Sequence, residues 1–415
     1  MEGFDRRLDP NRDAPLLIGL SGGGDSLALL LLARDWAQKT GRPLVAATVD
    51  HKLRPEGADW ARRCAARCAA LGVDHLTLIW TGTKPATGLH AAARLARHRL
   101  LAEAARGTGA SVILLAHTAD DRLEAAWMRR EGARTPSPRA WSPSPVWPEG
   151  RDIFLLRPLL AVRRAALRTY LRERGEDWIE DPGNVAATSL RARARLALAG
   201  VDFALSSDAP EAQVGMPPLT EGPAGELFGP SRPLLAQDRT AARLGLGAAL
   251  TCVGGSEATP APGSLAQILR RLEDGTPFAA TLVGARLIFD GATVVIAREA
   301  GDRRLGRAQP VPLSPDAPVI WDGRYLVGPG DPAWSIGHLK GRMARLDRAS
   351  RAALKCVHPA ARQALPVLIG PAGEVVCPTL EASRNRALRA LITPRLAARC
   401  GAIQHESDLA AWRNA

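Results

Sequence analysis

Six consecutive residues, Ser21, Gly22, Gly23, Gly24, Asp25 and Ser26, sit between an apolar run and a long aliphatic stretch in LLIGLSGGGDSLALLLLA. A strand, a glycine turn and a helix in that order bring free backbone amides and the positive helix end together at the edge of a parallel sheet. Glycines allow the main chain to approach an oxyanion closely, and the Ser21 and Ser26 hydroxyls add donors. Asp25 would repel bare phosphate. A carboxylate at this point therefore suggests a magnesium ion held between it and a polyphosphate. The loop lacks the lysine of a Walker A motif, and Leu27 stands where a dinucleotide fingerprint needs its last glycine.

More chemistry-bearing residues fall just beyond other predicted strands. His51 follows one apolar run, and His117, Asp120, Asp121 and Glu124 follow another. Carboxyl ends of strands are where doubly wound sheets bind ligands. Asp121 could share a metal with Asp25, and an imidazole or arginine could stabilise charge on a phosphoryl group. Each residue also has a plainer reading: His51 finishes a strand, and Asp120 or Asp121 caps a helix.

The elements that must hold these residues alternate in the first 200 positions, as in a parallel α/β domain. Strands are expected at Leu16 to Leu20, Leu44 to Val49, His75 to Trp80 and Ser111 to Ala116. Helices are expected over Ser26 to Lys39, Ala58 to Leu71, Leu89 to Arg106 and from Ala119 to about Arg130. The Pro-, Ser- and Trp-rich stretch from Gly132 to Arg151 reads as a long loop. IFLLRPLL resumes the structure, and an arginine-rich helix follows from about Arg163 to Arg174, its charges consistent with a solvated face. DPGN, Asp181 to Asn184, reads as a turn, with Ser189 as a cap for the next helix. The domain reading is 1–205 for the α/β domain, 206–233 as a linker, 234–305 as a middle unit and 310–415 as a C-terminal unit.

Around the glycine loop the sequence resembles the PP-loop, or N-type, ATP pyrophosphatases. TVDHKLRPEGAD, LLAHTADDRLEAAWMR, GLHAAARLARHRLL, LLRPLL, and DPGN followed by Arg191 and Arg195 are similar to segments of the tRNA(Ile)-lysidine synthetases. The resemblance spans about residues 16 to 200. It implies an N-type ATP pyrophosphatase domain followed by smaller mixed α/β C-terminal units. It also implies that ATP is cut between its α- and β-phosphates, adenylating O2 of the wobble cytidine in a CAU-anticodon isoleucine tRNA, after which free L-lysine displaces AMP at C2.

By the same resemblance ATP meets Ser21, Gly22, Gly23, Gly24, Asp25, Ser26, His51 and Arg94. Asp25, His117, Asp121 and Glu124 are catalytic, Mg2+ lies at Asp25 and Asp121, and tRNA meets Arg191 and Arg195. A homodimer is compatible with this reading. Departures from the family pattern are Arg122 for Gln, Ala125 for Thr, Gly183 for Ser or Thr, and the Pro/Trp-rich stretch in place of a Ser/Gly/Leu-rich segment. The C-terminal 200 residues match only loosely.

Composition bounds the alternatives. At 415 residues the chain is long enough for two or three domains, and 46% apolar residues can fill them. A charged start and the absence of a membrane-length apolar run point to a soluble, cytoplasmic protein. The net charge of +13 invites a polyanion, yet only five of the 55 basic residues are lysines, an arginine excess that coding bias alone could produce. The six cysteines show no framework spacing and read as reduced thiols. Cys64 and Cys68 are four apart, so they do not form the CxxC that a tRNA thiolase on the same ATP domain commonly uses. A non-catalytic nucleotide- or RNA-binding relative would not need Asp25, Asp121 and Glu124 together.

Overall fold

The computed structural model describes residues 2–133, 135–180, 190–198, 214–299, 309–380 and 388–409. The expected DPGN turn, the Ser189 cap and positions 206–213 of the expected linker lie outside these residues. The chain divides into two compact units, Met1–Ala212 with Ile403–Ala415, and Gln213–Ala402.

In the first unit the order is α1 (Glu2–Asp5), β1 (Leu16–Gly19), α2 (Gly24–Thr40), β2 (Leu44–Asp50), α3 (Gly57–Ala70), β3 (Asp74–Ile79), α4 (Leu89–Thr108), β4 (Val112–Leu114), α5 (Ala119–Arg130), β5 (Trp141–Pro143), β6 (Phe154–Leu156), α6 (Arg164–Glu173) and α7 (Leu190–Ala197). The sheet runs β3-β2-β1-β4-β6-β5, parallel throughout except for the β5–β6 pair. Strand order reverses between β1 and β4, so the crevice beyond their carboxyl ends is the ligand position of such a sheet. β1 and β4 are central and covered on both faces, which is why they read as unbroken apolar runs. α2 buries Leu27, Ala28, Leu29, Leu30, Leu31, Ala33 and Trp36, so nearly its whole first half is core.

The stretch read as a loop from Gly132 to Arg151 contains β5. Trp141 is 2% exposed, stacks on Phe154 and donates its indole N–H to the Ile403 carbonyl at 3.0 Å. Pro143 is tolerated because β5 is the edge strand. The buried tryptophan, not a periodic pattern, makes the strand.

The second unit has β7 (Thr220–Glu221), β8 (Leu227–Pro230), α8 (Ser231–Leu235), α9 (Arg239–Val253), α10 (Pro262–Glu273), β9 (Phe278–Leu282), β10 (Ala285–Phe289) and β11 (Thr293–Arg298). These are followed by β12 (Val311–Pro312), β13 (Val319–Trp321), β14 (Tyr325–Val327), β15 (Ser335–His338), α11 (Arg348–Ala353), β16 (Pro366–Ile369), β17 (Val375–Val376), β18 (Leu388–Ala390) and α12 (Ile392–Cys400). The sheets are β7-β8-β11-β10-β9, β12-β15-β16-β17 and β13-β14-β18.

Two expected boundaries differ here. Residues 220–221 and 227–230, expected in a linker, are strands of the first of these sheets. The expected middle and C-terminal units share one core, in which Leu246, Leu250 and Phe289 cluster with Trp321, Ile336 and Leu396. A buried ion network crosses the same expected boundary: Arg298 and Arg324 donate to Asp322 at 3.0 Å and 2.8 Å, and His338 Nε2 lies 3.2 Å from it. Against the upward push of burial, Arg324, His338 and Arg298 hold the Asp322 carboxyl well below the usual carboxylate range.

Residues 403–409, expected in the last unit, belong to the first. Glu406 is fully buried and receives a two-pronged pair from buried Arg42, Nη1 to Oε2 at 2.6 Å and Nη2 to Oε1 at 3.1 Å. Asp9 N–H also donates to Glu406 Oε2 at 3.1 Å. Removing one partner of such a pair strands the other charge. Glu406→Ala is therefore expected to destabilise the first unit by about 3–5 kcal/mol, while Arg42→Met combined with Glu406→Leu recovers most of the loss; urea unfolding of the three proteins measures both.

Candidate active site

The glycine loop leaves β1 and enters α2 with Gly23 at the N-cap, and no side chain caps the helix, so its first amides remain available to a ligand. Gly22 has φ +80, and a Cβ there would lie 2.6 Å from Ile179 Cδ1 and 3.0 Å from Cys64 Sγ. Ile179 N–H donates to the Gly22 carbonyl at 2.9 Å, so residues 177–179 brace the loop from behind. Ser26 Oγ donates to the Gly23 carbonyl at 2.8 Å and lies 3.1 Å from Ser21 Oγ, which fixes both hydroxyls in the turn. A cavity of about 350 Å³ behind the loop is lined by Leu20, Leu27, Cys64, Arg67 and Trp178 among others. Asp177 lines it, but none of Asp25, His117, Asp121 and Glu124 does.

Across the β1–β4 crevice, α5 begins at Thr118, which forms a capping box with Asp121. Asp121 Oδ2 accepts from the Thr118 N–H at 2.8 Å and from its hydroxyl at 3.0 Å. The helix-cap reading of Asp121 holds, and its other oxygen meets an arginine. Arg191 reaches Asp121 Oδ1 at 2.6 Å through Nη2 and Glu124 Oε2 at 2.7 Å through Nε, and Arg195 Nε reaches Glu124 Oε1 at 2.9 Å. Arg191 and Arg195, expected at tRNA, thus bind the α5 acids in this arrangement.

The residue that joins the two halves is Arg164. Its Nε donates to Asp25 Oδ2 at 2.9 Å and its Nη1 to Glu124 Oε1 at 3.2 Å, with Nη2 3.7 Å from Asp121 Oδ1. In sequence Arg164 falls within an arginine-rich helix whose charges are equally consistent with a solvated face.

Burial and the neighbouring Asp121 raise the Asp25 carboxyl above its ordinary value, although Arg164 opposes the shift. Magnesium commonly uses one or two carboxylates with substrate phosphates making up the rest. Asp25 fits that role by its hard oxygens and its place in the first turn of α2. Both Asp121 oxygens are engaged, one by the cap and one by Arg191. Among the described residues no group of three or more His, Cys, Asp or Glu side chains is placed to hold a metal ion unaided.

His117 accepts a hydrogen bond at Nδ1 from Arg157 Nε at 3.2 Å. Arg157, the arginine of LLRPLL, is 6% exposed and is further held by the Arg139 carbonyl at 2.7 Å. Burial first, then Arg157, Arg97 and Arg94, push the His117 pKa well below its ordinary value. The ring is neutral at pH 7, with Nδ1 an acceptor and Nε2 carrying the proton. It can donate one hydrogen bond to a developing anion but supplies no imidazolium. His98 behaves alike: burial and then Arg97 lower its pKa to about 2. Arg94 lies within electrostatic range of Arg191 and Asp121. His51 lies edge-on to Trp80 with ring centroids 6.0 Å apart, burial and then Arg97 lower its pKa, and its buried Nδ1 has no hydrogen-bond partner among the described residues.

Residues 2–201 match the family model described as a PP-loop domain. The chain is 44% identical over 411 residues to a tRNA(Ile)-lysidine synthase of Caulobacter vibrioides, covering 97% of each chain. It belongs to the tRNA(Ile)-lysidine synthase family. A second relative of the same name, from Mesorhizobium japonicum, is 37% identical over 328 residues, covering 74% of this chain and 70% of the other. PP-loop enzymes of this kind use ATP, which agrees with the uncapped α2 terminus and its acidic first turn. Cys64 and Cys68 are buried, and burial raises both thiols, Cys68 to about 12. Neither has the lowered pKa that a thiolate nucleophile needs.

Two outcomes follow from this geometry. Gly22→Ala is expected to cost about 1–2 kcal/mol from the left-handed backbone alone and to weaken nucleotide binding, since the loop must shift off Ile179; calorimetric ATP titration checks it. A histidine buried neutral binds fewer protons folded than unfolded, so stability is full above the unfolded pKa near 6.5 and is lost as pH falls below it. The loss per such histidine approaches about 1.4 kcal/mol per pH unit. Urea unfolding from pH 7.5 to 5.5 should show a shallower decline for His98→Asn than for the unaltered chain.

Proposed function

We propose that the chain joins lysine to C2 of the wobble cytidine of a CAU-anticodon isoleucine tRNA, producing lysidine through an adenylated cytidine. The observation that carries the reading is the pairing of a phosphate loop with the α5 acids across the β1–β4 crevice, joined by Arg164, in a chain of this family.

The loop amides at the α2 N-terminus and the Ser21 and Ser26 hydroxyls grip the β,γ-pyrophosphate, and the His51 Nδ1 atom offers a further polar contact to the nucleotide. Cytidine O2 attacks the α-phosphorus, and the bond to the bridging oxygen breaks with its electron pair leaving on pyrophosphate. The neutral His117 Nε2–H and Arg94 stabilise the charge that develops there. Lysine's ε-amine then attacks C2 and AMP departs. Asp121, fixed by the Thr118 cap, and Glu124 supply the carboxylates that take the proton the attacking amine must lose. Mg2+ would be held by Asp25 and phosphate oxygens and would neutralise charge on the polyphosphate. Arg191 and Arg195 exchange carboxylate for RNA phosphate as the substrate enters. The second unit supplies further tRNA contacts, and exclusion of water protects the adenylate.

Single-turnover release of pyrophosphate from γ-labelled ATP tests the order of events. Release should require tRNA carrying the wobble cytidine and should not require lysine; a uridine in that place should stop it. Release driven by lysine without tRNA would show that the amino acid is activated instead. Asp25→Ala should abolish release while the protein stays folded, and near-normal turnover at matched magnesium would remove Asp25 from the mechanism.

A further inference from the structure

Arg164 is held at its root as well as at its tip. Its backbone N–H, the first of α6, donates to Asp120 Oδ2 at 2.7 Å, and Arg163 Nε donates to Oδ1 of the same carboxylate at 3.2 Å. Asp120 thus ties α6 to the start of α5. From that anchor one guanidinium serves carboxylates on two elements, Asp25 on α2 and the Glu124 and Asp121 pair on α5.

The three acids are not served equally. Glu124 and Asp121 also receive Arg191, and Glu124 receives Arg195. Asp25 has Arg164 as its one ion-pair partner among the described residues. By ion pair the cluster sets three carboxylates against three guanidiniums, with Arg168 also acting on Asp25 and Arg94 on Asp121 at longer range. A divalent ion approaching Asp25 alone would meet a fixed positive charge at contact distance. An ion arriving with a polyphosphate brings the guanidinium an alternative: a phosphate offers paired oxygens suited to its planar fork. Asp25 can then pass from Arg164 to the cation while Arg164 passes from Asp25 to phosphate, and no charge is left unpaired.

We propose that Arg164 is a positioning residue that stands in for the divalent cation at Asp25, holding the loop carboxylate aligned and closed to metal until nucleotide delivers cation and phosphate together. This rests on the reading of the loop as an ATP site. A lysine at this position keeps the charge but concentrates its donors on one atom, so it can guard Asp25 without bridging to α5.

The test uses Mn2+ as the probe, read by electron paramagnetic resonance on the full-length chain with and without α,β-methylene ATP. The unaltered protein should bind Mn2+ with the analogue and at least about tenfold more weakly without it. Arg164→Met should gain nucleotide-independent Mn2+ binding by a similar factor. Arg164→Gln is a second uncharged variant, should the first fail to fold. Adding Asp25→Asn to either should abolish the gain, and Arg164→Lys should restore exclusion of free Mn2+. Arg164→Lys should also lower kcat for pyrophosphate release more than it raises the KM for ATP, because the bridge to α5 is lost while charge at Asp25 is kept. Equal Mn2+ affinity of the nucleotide-free unaltered and Arg164→Met proteins, or a gain that survives Asp25→Asn, would overturn the proposal. An unaltered protein that binds neither the analogue nor Mn2+ in its presence would overturn the ATP reading itself, and that arm separates the two failures.

Discussion

The constraint on which the site depends is that negative charge must be gathered at a place built to receive a polyanion. Asp25, Asp121 and Glu124 converge on one crevice, and without compensation their mutual repulsion would splay α2 from α5 or protonate one of them. Arg164, Arg191 and Arg195 remove that repulsion and fix the geometry at once. The sheet order explains why this must happen here: β1 delivers the loop and β4 delivers α5 on opposite sides of the reversal point. The geometry of the acidic cluster and local stability are therefore carried by the same ion pairs.

A second tier of arginines sets the electrostatic tone around this cluster. Arg94, Arg97 and Arg157 each lower the proton affinity of His117, and Arg157 also fixes which ring nitrogen carries the proton. An imidazole in that setting is a directed dipole and not a titrating acid. The result is a ring whose donor is set before any ligand arrives, the kind of fixed dipole that can stabilise developing charge without reorganising.

How much of this was legible in the sequence depended on whether a residue's role was local. The glycine loop, the strands on either side and the residues just past β2 and β4 could be read directly, because strand, turn and helix signals are short-range. Arg164 could not. Its role is defined by Asp25, 139 positions earlier, and by Glu124, and nothing in an arginine-rich amphipathic helix distinguishes it from a solvated neighbour. β5 was hidden for a related reason: Trp141 makes it a strand by burying against Phe154 and bonding Ile403, contacts that no local pattern announces. Glu406 looked like part of a terminal unit because sequence proximity was the available guide, whereas its partner Arg42 lies 364 residues away.

The arginine excess illustrates why net charge is weak evidence and position is strong evidence. Arg42 and Arg324 are buried and spend their charge on Glu406 and Asp322, so they contribute nothing to a surface field that RNA would feel. Arg164 is spent on acids inside the site. Arg191 and Arg195 are different, being 46% and 31% exposed at the side chain while paired with carboxylates. Their partners are not exposed: Asp121 and Glu124 are 10% and 2% exposed at the side chain, so each pair has one solvent-facing and one buried charge, and loss of an arginine would strand a buried carboxylate. Of the three cluster arginines these two are the more exposed, against 20% for Arg164, so the charge that reaches outward from the site resides on them and not on Arg42 or Arg324.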